Sequence, residues 1–322
     1  MSRLLKSQRG IRARARAANV WQRMKANWAE FRQNFARRRH RIAPGAAAQP
    51  AGHRPQDLLA VLMLTVGIAV IALDAPSYPW IRSLPQEYRA FFGAITDIGK
   101  SHWILWTSGL FLIFAMGLDW RALSFRVRMG LTIFWTYLAF IFFTVASSGI
   151  AALALKWTLG RPRPKLFEQV GPMGFDFLAF HIHYTSFPSG HSTTVAALAA
   201  ALCLIFPAWL WLIAVVAFWL AFSRIMVGAH YPSDVIAGTL LGLSVTLATG
   251  RYLALRRIGF KLTPGAGIRP IVSGATARRC AVAMASAGYA AVWTSRPASA
   301  TNADPISNAT DPADAGSETP KS

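Results

Sequence analysis

The chain has 322 residues, 54% of them hydrophobic and 15% charged, with a formal net charge of +21 from 34 Lys and Arg against 13 Asp and Glu. Soluble chains carry about 25% charged residues, and here the apolar residues fall in blocks, which favours a membrane protein over a large soluble core. Cys203 and Cys280 stand in no CxxC or Cys/His cluster, which speaks against a disulfide framework or a zinc site.

Residues 1–56 form a basic arm in which Trp21, Trp28 and Phe31 interrupt Arg, Lys and Ala. It is expected to be cytoplasmic and partly disordered. Two readings stand open for it: an amphipathic helix on anionic lipid headgroups, and a positively charged disordered tail. The positive charge gathers here and beside apolar runs, so a membrane surface is favoured over nucleic acid as partner. No signal peptide is expected, because the first apolar run begins only near Leu58. Gly45 to Pro55, rich in Pro, Ala and Gly, reads as a linker.

Six apolar runs follow, at 57–74, 102–118, 129–155, 190–206, 208–222 and 233–250. A membrane helix needs about 20 residues, so the expected fold class is all-α, a polytopic helix bundle with six transmembrane helices occupying 57–250. Gly149, Gly238 and Gly242 suit close helix packing in lipid. The stretch 85–100 reads as a short amphipathic helix along the outer face. Residues 280–294 are too short and too mildly apolar for a seventh span. Residues 251–322 are expected to form a cytoplasmic, largely disordered tail.

Loop charge sets the orientation. The arm, the connection holding Arg121, Arg126 and Arg128, and the segment holding Arg251, Arg256, Arg257 and Lys261 fall on one side of a six-span chain. Basic loops stay cytoplasmic, so both termini are expected inside, and a bacterial inner membrane is the expected location.

The unusual polar residues then collect on the opposite face. Lys156 and Arg163 follow the third run, Pro188 to His191 open the fourth, Arg224 ends the fifth, and His230 and Asp234 precede the sixth. Each has an ordinary explanation taken alone: interfacial anchors for the cations, a helix cap for Ser189, a structural pair for His230 and Asp234. Together they make a site for phosphate. Arginine forks and a lysine point charge match phosphoryl oxygens, and the helix start at Ser189 and Gly190 attracts anions. Two histidines supply a nucleophile and an acid. Asp234, four residues after His230, can orient its ring. No carboxylate cluster for Mg²⁺ or Ca²⁺ is present in the sequence, so neither a metal nor any other cofactor is expected.

At these residues the chain resembles the type 2 phosphatidic acid phosphatase (PAP2) family of membrane lipid phosphatases. Its three motifs are Lys, six residues, Arg-Pro (Lys156 to Pro164); Pro-Ser-Gly-His (Pro188 to His191); and Ser-Arg, five residues, His, three residues, Asp (Ser223 to Asp234). The resemblance covers roughly 57–250. It implies that His230 is the nucleophile and forms a phosphohistidine, that Asp234 orients it, and that His191 protonates the leaving oxygen. It also implies that Lys156, Arg163, Arg224 and the Ser189–Gly190 region hold the phosphate. Arg161 lies outside the matching register and ranks as secondary. The implied reaction is metal-independent hydrolysis of a lipid phosphate or pyrophosphate at the outer membrane face. Candidate substrates are phosphatidic acid, phosphatidylglycerol phosphate, undecaprenyl pyrophosphate and lipid A phosphates. The competing reading is a non-catalytic lipid-binding protein, or a lipid phosphotransferase or transport protein. Oligomeric state is not legible.

Overall fold

The computed structural model describes residues 2–38, 55–178, 180–263 and 267–272, with the single positions 278, 279, 282 and 285. The expected linker at 45–55 and the segment 280–294 fall almost wholly outside these. Each of the six apolar runs folds as a helix, because unbroken apolar sequence leaves no other way to satisfy its backbone in lipid. In chain order the helices are α1 (Ser2–Arg37), α2 (Pro55–Ala72), α3 (Asp74–Ser83), α4 (Gln86–Thr96), α5 (Ser101–Met116), α6 (Phe125–Leu159), α7 (Phe167–Val170), α8 (Gly190–Ile205), α9 (Leu210–Met226) and α10 (Pro232–Leu255). An antiparallel hairpin, β1 (Phe260–Thr263) with β2 (Gly267–Pro270), follows, pairing Phe260 with Pro270.

Three stretches among the described residues are long and apolar enough to cross a membrane, namely Phe125–Val170, Pro207–Met226 and Pro232–Leu255. The α2–α3 pair, bent by 54° at Leu73, makes a fourth if counted as one span. The remaining two expected spans, α5 and α8, are helices of 16 residues each. At 1.5 Å per residue that is about 24 Å, short of a hydrocarbon core of about 30 Å. The outer surface is apolar, with Ile71 83% and Trp211 80% exposed, as a bundle whose solvent is lipid requires.

Helix α8 sits between α6, α9 and α10. Its buried face is built of Thr193, Ala196, Ala197, Ala200 and Ala201. Such small side chains let α10 approach to backbone contact: a methyl group at Gly238 would overlap the Ser189 carbonyl, and one at Gly242 the Thr193 carbonyl. Gly149, expected to pack in the same way, faces open space. It lies on a helix surface that no neighbour covers.

The helices alternate between two ends of the bundle. One end gathers the end of α2, the C-termini of α6 and α9, and the N-termini of α8 and α10. The other end carries α1 and the hairpin. Within the basic arm, the described residues form the helix α1 over Ser2–Arg37. It docks through Asn27, whose Nδ2 donates to the carbonyls of Met116 (2.7 Å) and Leu118 (3.0 Å). Phe31 packs edge-on against Trp135, with ring centroids 4.9 Å apart, and the Arg256 guanidinium lies over Phe35. The hairpin lies in the first part of the segment 251–322. Phe260 is fully buried against Tyr137, Phe140 and Ala254, and Tyr137 donates to the Gly259 carbonyl at 2.8 Å. One aromatic side chain thus anchors a hairpin whose short, mixed sequence gives little sign of structure.

Candidate active site

Helix α6 ends where Gly160 adopts a left-handed conformation (φ 54°, ψ 52°), which glycine takes at no steric cost. The chain then leaves regular structure through Arg161-Pro162-Arg163, and Pro164 opens a short 3-10 turn, Pro164–Leu166. Two backbone bonds tie it to the segment before α8: Arg163 N to His183 O (2.9 Å) and Ser186 N to Arg161 O (3.0 Å). This pairing brings the first motif beside the second. Lys156 Nζ donates to the Thr185 carbonyl at 3.0 Å and lies against Gly190 at the start of α8. Arg163 Nη2 donates to Thr185 Oγ1 at 3.3 Å.

Ser189 caps α8. Its hydroxyl accepts from Ser192 Oγ (3.0 Å) and Ser192 N (3.4 Å), and its own N–H donates to the Asp234 carbonyl (2.9 Å). The hydroxyl accepts both of the bonds from Ser192, and the first-turn amides of Gly190 and His191 face outward from the helix end. The Gly99 backbone packs on the His191 ring. Arg224 donates from Nη1 to Thr96 Oγ1 at 2.9 Å. His191 is within electrostatic reach of Arg224, His230, Lys100 and Lys156, so the three motifs converge on one place.

Beneath them lies a buried ion network. Asp234 Oδ1 accepts from Arg161 Nη1 at 2.6 Å, and its Oδ2 from Ser186 Oγ (2.6 Å) and Tyr231 N (2.9 Å). His230 Nδ1 stands 3.6 Å from the same Oδ2. Burial pushes the His230 imidazole down to about 4, against the opposing pull of Asp234. Arg161 was ranked secondary on sequence, yet it is the largest fully buried side chain among the described residues. Its Nη2 donates to Asp74 Oδ2 and its Nη1 to Ser233 Oγ, both at 2.6 Å. The ring of Tyr231 covers its guanidinium at 4.6 Å. Asp74, also fully buried, accepts from Ser233 N (3.0 Å) and Ser233 Oγ (2.6 Å).

Sequence reading missed Asp74, Ser186, Ser233, Thr185, Thr96 and Lys100. The available signals were faint: an acid at the very end of an apolar run for Asp74, and proximity to the motifs for the two serines. Four buried nitrogens in the cluster have no hydrogen-bond partner: Arg163 Nε, Arg224 Nε, His191 Nε2 and His230 Nδ1. Unpaired buried donors are costly, and donors and cations gathered this way suit an anion. The two carboxylates already accept from Arg161, Ser233, Ser186 and Tyr231. Among the described residues no group of three or more His, Cys, Asp or Glu side chains is arranged to hold a metal ion.

A family model described as the PAP2 superfamily matches residues 137–258. The chain is 35% identical over 242 residues to a lipid A 1-phosphatase of Rhizobium johnstonii, covering 75% of this chain and 95% of that protein. It is 47% identical to an undecaprenyl-diphosphatase of Sulfolobus acidocaldarius over 58 residues, 18% of this chain and 28% of the relative. Among solved structures, Aquifex aeolicus LpxE aligns at 20% identity with a TM-score of 0.38, covering 53% of this chain and 91% of that one. A PAP2-type phosphatidylglycerolphosphate phosphatase of Bacillus subtilis aligns at 19% identity with a TM-score of 0.42, covering 62% and 96%.

Proposed function

The chain belongs to the PAP2 superfamily and is a membrane phosphatase of that family; on that premise we propose that it hydrolyses a lipid phosphate at the extracytoplasmic face through a phosphohistidine, without metal. The observation that carries the reading is the cluster itself. Lys156, Arg163 and Arg224 surround two histidines, with partnerless donors on both arginines and on His191.

In this reading the phosphate oxygens sit among Lys156, Arg163, Arg224 and the amides of Gly190 and His191, where charge developing on the transferring group is met by fixed cations and dipoles. Neutral His230 attacks phosphorus with Nε2, because Nδ1 is turned to Asp234. The bond from phosphorus to the lipid oxygen breaks, and His191, which takes up its proton when the phosphate dianion binds beside it and offsets the surrounding cations, gives that proton to the leaving oxygen. Water then attacks the phosphohistidine and passes a proton to His191, releasing phosphate and restoring both rings.

Six crossings give the topology that fits this chemistry, with α5 and α8 completed by their flanking residues. The site end then faces outward, and α1 and the hairpin lie in the cytoplasm, with the arm's positive charge on anionic headgroups. A bacterial inner membrane suits this arrangement. Of the lipids considered, lipid A carrying a 1-phosphate ranks first, because a relative of that name aligns over nearly its whole length.

The test is phosphate release by purified protein in detergent with EDTA. The panel would hold lipid A, undecaprenyl pyrophosphate, phosphatidylglycerol phosphate and phosphatidic acid, with His230→Ala as control. Lipid A is expected to turn over fastest, and the variant to lose at least about 10³-fold, as enzymes stripped of a nucleophile do. Equal release by the variant would remove His230 from the reaction.

A further inference from the structure

The geometry points to a charge-setting role for Asp74 and Arg161. We infer that Arg161 positions Asp234, and that Asp74 offsets the guanidinium so that Asp234 keeps its full negative effect on His230. The inference rests on the proposed attack by His230 and deepens it.

Asp74, Arg161 and Asp234 are all fully buried, and Arg161 bonds each carboxylate through a separate nitrogen at 2.6 Å. Two carboxylates and one guanidinium leave the cluster at −1. When neutral His230 takes the phosphoryl group at Nε2 with Nδ1 still protonated, its ring becomes cationic, and ring plus cluster sum to zero. With Arg161 and Asp234 alone, the sum would be +1 in a buried place, where charge is poorly screened. Lys156 from α6, Arg224 from α9 and His191 from α8 also act on His230; the carboxylate beside them, Asp97, acts on His191 and Arg224, is exposed and is paired with Lys100 at 2.8 Å. Arg161 is needed all the same, because its guanidinium bridges the two buried carboxylates, which would repel each other without it.

The backbone is arranged to deliver Asp74. The chain breaks and bends by 54° at Leu73, which carries Asp74 under the start of α10, where it also accepts the Ser233 N–H. Neither Asp74 nor Arg161 is placed to touch the phosphoryl group, so both are positioning residues.

The test compares wild type with Asp74→Asn, Arg161→Gln, Arg161→Lys and the double Asp74→Asn/Arg161→Gln. Phosphate release and acid-labile phosphohistidine are followed across pH. Asp74→Asn is expected to lower kcat by about 10- to 100-fold. In Arg161→Gln the cluster becomes more negative, so the acid limb of kcat/KM moves to higher pH. In Asp74→Asn the limb does not move up. The double variant returns the charge to −1, so its limb returns toward wild type and its kcat exceeds that of Asp74→Asn. Arg161→Lys keeps the charge and therefore the limb; if Arg161→Gln does not fold, Asp74→Asn against Arg161→Lys still reads the sign, the limb moving to lower pH in the first and staying in place in the second. A double variant no faster than Asp74→Asn, or limbs unmoved by the change of charge, would overturn the inference. Loss of the nucleophile reading would appear elsewhere, as absence of phosphohistidine in wild type or activity in His230→Ala.

Discussion

Burial holds His230 neutral down to about pH 4, well below the ordinary imidazole value near 6.5. Two consequences follow with definite sign. In the proposed mechanism the ring attacks in its neutral form, so the acid limb of kcat/KM assigned to His230 is expected near pH 4 rather than 6.5, measured with detergent-dispersed lipid well below KM. The unfolded chain, in contrast, binds its proton at about 6.5. Between 6.5 and 4 the unfolded state therefore carries more protons, and stability falls as pH drops through that window. Replacing His230 with Gln is expected to flatten that part of the stability profile, as read by thermal unfolding from pH 7 to 4.5. At this scale the three motifs that meet at the cluster were legible, because spacing within one motif is fixed along the chain. The groups that hold them were not. Asp74 lies 160 residues from Asp234 in sequence, and nothing local distinguishes it from an ordinary acid at the end of an apolar run. Arg161 reads as a spare cation until the turn at Gly160 is seen to send it inward.

Helix packing explains why the site is held where it is. Ser189 N donates to the Asp234 carbonyl, so the start of α8 and the start of α10 share a hydrogen bond, and the phosphate amides and the orienting carboxylate move as one. That contact requires α10 to touch α8 along its backbone, which Gly238 and Gly242 permit. Gly242→Ala is therefore expected to destabilise by about 1–3 kcal/mol or more through overpacking, seen as a lowered Tm in detergent. Gly149→Ala has open space and a helical backbone, and is expected to be neutral or to stabilise by about 0.5–1 kcal/mol. The contrast separates two glycines that look alike in sequence. Helix existence was legible from apolar runs alone. Helix length was not: α6 runs on for 35 residues while α5 and α8 stop at 16, because capping and turns, not hydropathy, decide where a helix ends.

For the molecule as a whole, one end is built for chemistry and the other for anchoring. Asn27, Phe31 and Phe35 fasten α1 across α5, α6 and α10, and the hairpin closes on the same end through Phe260. The sequence shows the arm's charge plainly but not its docking, since three uncharged side chains among many arginines carry no pattern. Loop charge is the ground for proposing this end as cytoplasmic. Cysteine labelling in cells tests it directly. In a background with Cys203 and Cys280 replaced, a cysteine at Glu168 or Asp176, in the connection leading to α8, is expected to react with a membrane-impermeant maleimide added outside intact spheroplasts. A cysteine at Arg121 or Arg257 is expected to react only after permeabilisation. The opposite pattern would turn the site inward and restrict it to lipids of the cytoplasmic leaflet. That would set aside any substrate presented only on the outer leaflet while leaving the arrangement of His191, His230 and Asp234 untouched.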